Sequence, residues 1–338
     1  MAQVCQNTLA RGQAKYRGQN TVVYRRLDQL LLRHWQRGGL QSPAVKPAPF
    51  EYHAPESVAD VVGLLGEHGD DAKPLAGGQS LVPMLAMRLT RFEHIVDLNK
   101  VEELFGVTAD NGGVRIGAMT RQAAVETDAT VAERVPLLHL ATPHIGHFQI
   151  RNRGTIGGSV AHADPASEYP AVMLALDGVA EVASASGTRE VPAAEFFEST
   201  FMTAVAPDEL LTALRFPAWE QPAGFAFDEI ARRSGDFALA GVAVGIGTDG
   251  GGRINRAAVG MLGVGPTPLR ASSVEAALTG LAVADADPAE IGRLAADDMN
   301  PIGDVHASAD YRRRAGSTLV GRVLADALSQ LTQEANGG

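Results

Sequence analysis

"KPLAGGQSLVPMLAMRLTRFEHIVDL", residues 73–98, sets two glycines between a short apolar run and a longer apolar segment. Glycine inside a regular element costs about 0.5–1 kcal/mol relative to alanine, so Gly77-Gly78 marks a place where bare backbone is needed. Alone, the pair also fits a tight turn, since 37 of the 338 residues are glycine. A second stretch shifts the balance. Thr155-Ile156-Gly157-Gly158-Ser159 repeats adjacent glycines between hydroxyl residues, about 80 residues further on. Adjacent glycines let backbone N–H groups converge on an anion without interference from Cβ atoms. Ser80, Thr155 and Ser159 add hydroxyl donors, and a helix starting after Ser80 would add its positive end. Two such loops facing each other could enclose a pyrophosphate using neutral donors, which suits an acidic chain.

Outward from the first loop, "FEYHAP" (50–55) reads as extended and "SVADVVGLLGEHG" (57–69) as a helix. Ser57 is its N-cap with Asp60 three residues on, Val61, Val62, Leu64 and Leu65 form its apolar face, and Gly69 ends it. "AKPLAGG" is a strand into the loop, "SLVPMLAMRLT" a helix and "HIVDL" a strand, together a βαβ-like lobe over about 45–100. A second lobe, about 101–220, opens with the hairpin "VTADNGGVRIGA", turning at Asn111-Gly112. It continues through helical segments broken at Pro136 and Pro143. The Thr155–Ser159 stretch then reads as a glycine turn, before a helix and the strands "AEVASASGTREVP" and "ELLTALRFP". Composition shifts at "PAWEQPAG" (218–224), placing a boundary there. A C-terminal domain over 225–331 pairs two long strands with helices, and 332–338 is a tail.

The bulk properties exclude several functions. A formal net charge of -10 argues against nucleic acid as a partner. No uncharged apolar run reaches the roughly 18 residues of a membrane span. Cys5 is the only cysteine, which excludes an internal disulfide, a Cys-based zinc site and an iron–sulfur cluster held by this chain's own thiolates. It fits a reducing compartment, and a cytoplasmic location is expected. Residues 1–44 differ from the rest: they carry seven Lys/Arg and one acid, net +6, leaving -16 on 45–338. We read them as an extension, disordered or translated ahead of a natural start at Val45; a natural extension is the competing reading.

Two further motifs carry little. "GIGTDG" (245–250) satisfies G-x-G-x-x-G, but a strand rather than a helix follows it, so it reads as a hairpin turn. His144, His147 and His162 lack helical ligand spacing, and no metal site is expected in this chain.

Taken together, "FEYHAPESV", "AGGQSLVPMLAMRL", "RIGAMTR", "IRNRGTIGGSVAHADPASEYPA", "DELLTALRFP", "ARRSGDF", "GVGPTPLRA" and "DYRRRAGSTLVGR" resemble the FAD-binding medium subunit of molybdenum hydroxylases, the xanthine dehydrogenase and carbon monoxide dehydrogenase family. The resemblance is nearly collinear from Val45 onward. It implies an α+β chain: a two-lobed FAD-binding fold of the vanillyl-alcohol-oxidase/PCMH type over 45–220, then a smaller α+β domain. By motif, Ala76, Gly77, Gly78, Gln79, Ser80 and Leu81, with Thr155, Gly157, Gly158 and Ser159, would hold the FAD diphosphate. Ile145 and Gly146 fall where relatives also touch the cofactor. Asp164 and Glu168 would face a ribityl or ribose hydroxyl, Glu168 standing where relatives usually carry Asp. Leu210 or Leu211 would wall a ring system, and Phe237 would lie near the isoalloxazine, where carbon monoxide dehydrogenases typically carry Tyr. Asp228-Glu229 stands where many relatives have a lysine.

The resemblance further implies an oxidoreductase with no catalytic side chain of its own, since flavin supplies its redox chemistry. Electrons would arrive from a separate [2Fe–2S] subunit, fed by a large molybdopterin-binding subunit, in a heterotrimer that is often doubled. They would leave to NAD⁺, a quinone, O₂ or another carrier. The alternatives are a self-contained oxidase of the vanillyl-alcohol-oxidase type and a non-catalytic nucleotide-binding module.

Overall fold

Three parallel strands, β1 (Glu51–His53), β2 (Ala72–Leu75) and β3 (His94–Asp97), form a sheet ordered β1-β3-β2. They belong to a computed structural model that describes residues 46–110 and 112–337; the expectations for 1–44, for Val45 and for Asn111 lie outside the described residues. Helix α1 (Val58–His68) connects β1 to β2. Its N-cap is Ser57, whose hydroxyl accepts from the Asp60 N–H at 3.1 Å, and Gly69 turns the chain out at φ 52°. Val61, Val62 and Leu65 bury the inner face of α1 with Val96 and Leu98, in a core that also takes in Met119 and Leu210 from further along the chain. Helix α2 (Leu81–Ala86) is only six residues long and stops before Arg88, which takes a left-handed φ of 57°. The longer helix expected over 80–90 does not form.

The second lobe is an antiparallel sheet ordered β4-β5-β10-β6-β7. Its strands are β4 (Val107–Asp110), β5 (Gly113–Gly117), β6 (Val179–Ser184), β7 (Gly187–Pro192) and β10 (Leu210–Pro217). A small pair, β8 (Phe197–Ser199) and β9 (Met202–Thr203), precedes β10. Short helices cover the sheet: α3 (Gln122–Thr127), α4 (Ala129–Arg134), α5 (Pro136–Ala141), α6 (Phe148–Arg151), α7 (Ile156–His162), α8 (Glu168–Ala175) and α9 (Ala193–Phe196). Asp128 caps α4 by accepting from the Val131 N–H, and Pro136 opens α5, where its missing N–H costs nothing. The second glycine pair is not a turn. Gly157 and Gly158 lie in the first turn of α7, capped by Thr155, because those positions need close approach rather than a reversal of the chain.

The C-terminal sheet runs β11 (Ala223–Ala231), β12 (Ala238–Thr248), β13 (Ile254–Leu262) and β14 (Leu269–Arg270), all antiparallel. The β12–β13 connection is the hairpin read from "GIGTDG", its turn held by Asp249 Oδ1 accepting from Gly251 and Arg253 N–H groups. Helices α10 (Ser272–Leu278), α11 (Pro288–Arg293) and α12 (Ala309–Gly337) complete it, α12 running on through the expected tail. Leu319, Val320, Val323, Leu324 and Ala327 of α12 are buried with the apolar side chains of β12 and β13. Phe225 and Ala243 instead join the second-lobe core, so Pro47–Gly338 is one compact unit. Among the described residues no helix is long and apolar enough to cross a membrane.

Candidate functional site

The two glycine segments interlock. A Cβ added at Gly77 would lie 2.2 Å from the Arg153 carbonyl oxygen and 2.8 Å from Gly154 Cα. One at Gly158 would lie 2.6 Å from Thr155 Oγ1 and 3.3 Å from Ala76 Cβ. One at Gly157 would meet Ala118, with Cβ at 2.4 Å and the carbonyl oxygen at 2.7 Å. At Gly77 and Gly157 two backbones come closer than a side chain permits, whereas at Gly158 the space is taken by the Thr155 and Ala76 side chains. Gly78 differs, with a φ of +74° that favours glycine directly.

The segments contribute different hydrogen-bonding capacity. In the second, the N–H groups from Ile156 to Ser159 are engaged: Ile156 donates to the Thr120 carbonyl, Gly157 to that of Ala118, Gly158 to the Thr155 hydroxyl at 3.0 Å and Ser159 to the Thr155 carbonyl. In the first, no acceptor among the described residues takes the backbone N–H of Gly77, Gly78, Gln79 or Ser80. The first loop therefore presents open donors and the second packs against it. Ser80 leaves its hydroxyl without a capping role, and both Gln79 and Ser80 are exposed. Unpaired N–H groups on a glycine cradle, flanked by hydroxyls, match what a dinucleotide diphosphate needs.

A polar bridge that the sequence reading missed ties these segments together. Arg121 donates to the Arg153 carbonyl and to Asn99 Oδ1, and the Asn99 amide donates to the Ala76 carbonyl at 3.3 Å. Arg121 also forms an isolated β-bridge with Thr155. Burial and then the neighbouring Arg153 lower the hold of Arg121 on its proton, while Asp97 opposes them. Both residues sat in legible places, at the end of "DLN" and in "RIGAMTR", but nothing local marks a contact across the lobes. Arg121→Met should release the bridge, lowering stability by about 1–3 kcal/mol and weakening flavin retention. Thermal unfolding and bound-flavin content check both; neither changing would mean the loops align without it.

The remaining expected residues divide. The Ile145–Gly146 turn, with Gly146 at φ 51°, receives the "RRSGDF" loop directly: a Cβ at Gly235 would sit 2.5 Å from His147 Cε1 and 3.1 Å from the Gly146 carbonyl oxygen. Phe237, two residues on, is 72% exposed, an unusual position for a Phe ring. Leu210 and Leu211 are instead inside apolar cores. Leu81 is half-buried at the start of α2.

Of the acids near this face Glu168 is buried, and Asp164, Asp228 and Glu229 are half-buried. Asp164 caps its own turn by accepting from the Ala166 N–H at 2.9 Å. Glu168, the first residue of α8, is 8% exposed; burial, then Asp164, push its carboxyl up to about 7 against a hydrogen bond from its own backbone. Glu229 on β11 has an Oε2 with no partner among the described residues, and burial, then Glu168 and Asp228, push it up to about 8. Asp228 has Arg322 at 3.4 Å. Among the described residues no cation pairs with Glu229, and its raised value keeps it protonated at neutral pH. His144 packs edge-to-face on Phe227 at 4.9 Å, and burial lowers its pKa against Asp228.

Comparison with known proteins gives this arrangement a context. Residues 48–219 match the FAD binding domain in molybdopterin dehydrogenase, and residues 225–327 match the CO dehydrogenase flavoprotein C-terminal domain. The chain is 41% identical to the 6-hydroxypseudooxynicotine dehydrogenase complex subunit alpha of Paenarthrobacter nicotinovorans, over 84% of this chain and 96% of that one. It is 37% identical to the carbon monoxide dehydrogenase medium chain of Hydrogenophaga pseudoflava, over 82% and 96%. The solved carbon monoxide dehydrogenase of that organism, lacking the Mo-pyranopterin moiety of its molybdenum cofactor, superposes with a TM-score of 0.80 at 39% identity, over 84% and 99%. Quinoline 2-oxidoreductase from Pseudomonas putida 86 gives 0.79 at 36% identity, over 85% and 99%.

Proposed function

The chain belongs to the molybdopterin-dehydrogenase family, as the FAD-binding medium-type subunit of an oxidoreductase complex, and on that premise we propose that it relays electrons through a flavin held between its two lobes. The observation that carries this is the interlock of Gly77 with Arg153–Gly154 beside four open N–H groups, a diphosphate cradle that spans both lobes. When bound, FAD supplies the redox chemistry.

The chain's own work is binding and placement. The N–H groups of Gly77, Gly78, Gln79 and Ser80 would donate hydrogen bonds to the diphosphate, with the Ser80 and Ser159 hydroxyls beside them. Arg121 and Asn99 keep the two segments at a fixed separation. The Ile145–Gly146 turn and the exposed ring of Phe237 would hold the flavin ring. Asp164 and Glu168 meet ribityl or ribose hydroxyls, and Glu168, protonated below about pH 7, can donate as well as accept.

Electrons enter from the [2Fe–2S] clusters of a small partner subunit, supplied by a large molybdopterin-binding subunit, and leave to NAD⁺, a quinone or O₂. The assembly is a heterotrimer, doubled, in the cytoplasm. Relatives named for carbon monoxide, for quinoline and for a nicotine derivative share this fold. That supports substrate choice residing in the large subunit and not here. The test is co-purification with the neighbouring subunits followed by quantitation of FAD, iron and molybdenum. About one FAD per chain, reduced when the complex turns over, is expected. A complex that assembles with iron and molybdenum but binds no flavin would overturn the reading.

A further inference from the structure

We propose that His53, His68 and His94, with Glu51, form a binding site for a Zn²⁺-class divalent cation at the end of the first lobe away from the glycine loops. The three histidines come from three elements: His53 ends β1, His68 ends α1 and His94 begins β3. Each offers a ring nitrogen, and these atoms all lie within 4.8 Å of one another. His53 Nε2 and His94 Nδ1 are 3.1 Å apart. A tetrahedral ion with nitrogen ligands at about 2.0–2.1 Å separates those ligands by about 3.3 Å, so this pair already stands at coordination spacing.

The sheet explains the convergence. Parallel register sets Glu51 opposite His94 and His53 opposite Val96, and residues 51 and 53, two apart on β1, share a face. Glu51 accordingly reaches both rings, with Oε1 3.9 Å from His53 Nε2 and Oε2 3.7 Å from His94 Nδ1. His68 is delivered from the last position of α1. Its ring stacks on that of His94 at 3.6 Å and 7°. Stacked rings hold their nitrogen lone pairs in parallel planes, so coordination requires His68 to turn about its side-chain bonds; the neighbouring Gly69, at φ 52°, ends the helix there. Three imidazoles and a carboxylate make a four-ligand N/O set that suits Zn²⁺ and its neighbours better than Mg²⁺ or Ca²⁺.

The site's place in the fold defines its role. β2 leaves for the glycine loop beyond Leu75, which pairs with Asp97, whereas His94 pairs with Ala72 at the other end. Three residues of strand put roughly 10 Å between the two ends. An ion here would clamp β1, α1 and β3 rather than carry electrons.

The experiment uses the full chain, free of any polyhistidine tag and stripped with chelator. Co²⁺ is titrated optically, then displaced with Zn²⁺, and thermal unfolding is followed with and without Zn²⁺. One Co²⁺ per chain with an intense tetrahedral visible band, lost on adding Zn²⁺, and a raised unfolding temperature are expected. His68→Gln and His94→Gln should abolish the band, and Glu51→Gln, at an exposed position that folding does not depend on, should weaken binding about tenfold. Absence of a band and of any Zn²⁺ stabilisation in the unsubstituted chain would overturn the proposal. So would Co²⁺ binding that is unchanged in His94→Gln or Glu51→Gln.

Discussion

Gly77→Ala is expected to strip the protein of FAD, lowering its affinity by about a hundredfold or more while the chain still folds. The methyl group would arrive 2.2 Å from the Arg153 carbonyl oxygen and 2.8 Å from Gly154 Cα. Both obstacles are backbone, so no side chain can swing aside, and the two segments must part by on the order of 1 Å. That movement takes the donors of the first loop away from a diphosphate seated across both lobes. Losing two charge-assisted hydrogen bonds at about 1.5–3 kcal/mol each accounts for the hundredfold. Gly78→Val and Gly158→Val should act in the same direction, the first through its φ of +74° and the second through Thr155 Oγ1 at 2.6 Å. Gly66→Ala supplies the control: its Cβ meets nothing within 4 Å on an exposed face of α1, so it should keep its flavin and gain about 0.5–1 kcal/mol. Flavin content after gel filtration, read beside circular dichroism and unfolding temperature, separates lost binding from lost fold. A folded Gly77→Ala protein with a full complement of FAD would place the diphosphate elsewhere.

The same residues show where sequence reading succeeds and where it stops. Ser57, Asp60 and Gly69 bounded α1 because caps are local: the hydrogen bond that proves them spans three residues. The β12–β13 hairpin was legible for a like reason. Gly157-Gly158 was legible as a place needing bare backbone but was read as a turn, and it lies in a helix, because the demand comes from Ala118, about forty residues earlier. Nothing near Gly157 in sequence carries that information. Asn99 and Arg121 carry no local signal for the same reason, since their role exists only once the two lobes meet. Leu210 looked like a candidate ring wall from its motif, and its burial with Val61, Val62 and Leu65 emerges only from the packing of the first lobe on the second. Among the histidines, His144, His147 and His162 are the ones that lie close in sequence. Of the three that converge, His53 and His94 are brought together by parallel register and His68 by the packing of α1, neither of which a strand pattern alone fixes.

Glu229→Gln should stabilise the protein at alkaline pH, by on the order of 2–4 kcal/mol near pH 8.5, and do little near pH 5. Glu229 ionises only at about 8 because burial, Glu168 and Asp228 all oppose its charge, and Glu168 ionises at about 7, against an ordinary 4.5 for both. A carboxyl whose folded pKa is raised favours the folded state fully below its unfolded pKa. That advantage is lost as pH rises through the folded value. The window is therefore pH 4.5 to about 8, across which the native state must either keep two buried protons or ionise acids side by side. Glutamine retains the shape and polarity of Glu229 without the charge, so its unfolding temperature should fall less steeply across the window. It should leave the raised value of Glu168 in place, because burial and Asp164 set that value and Glu229 is still protonated where Glu168 ionises. The net charge of -10 penalises every variant alike at high pH, so the informative quantity is the difference between Glu229→Gln and the unsubstituted chain. Unfolding followed at about pH 5, 7 and 8.5, with and without FAD, measures it. A difference that is the same at all three values would mean that Glu229 is ionised in the folded protein, and that a cation not identified among the described residues pairs with it.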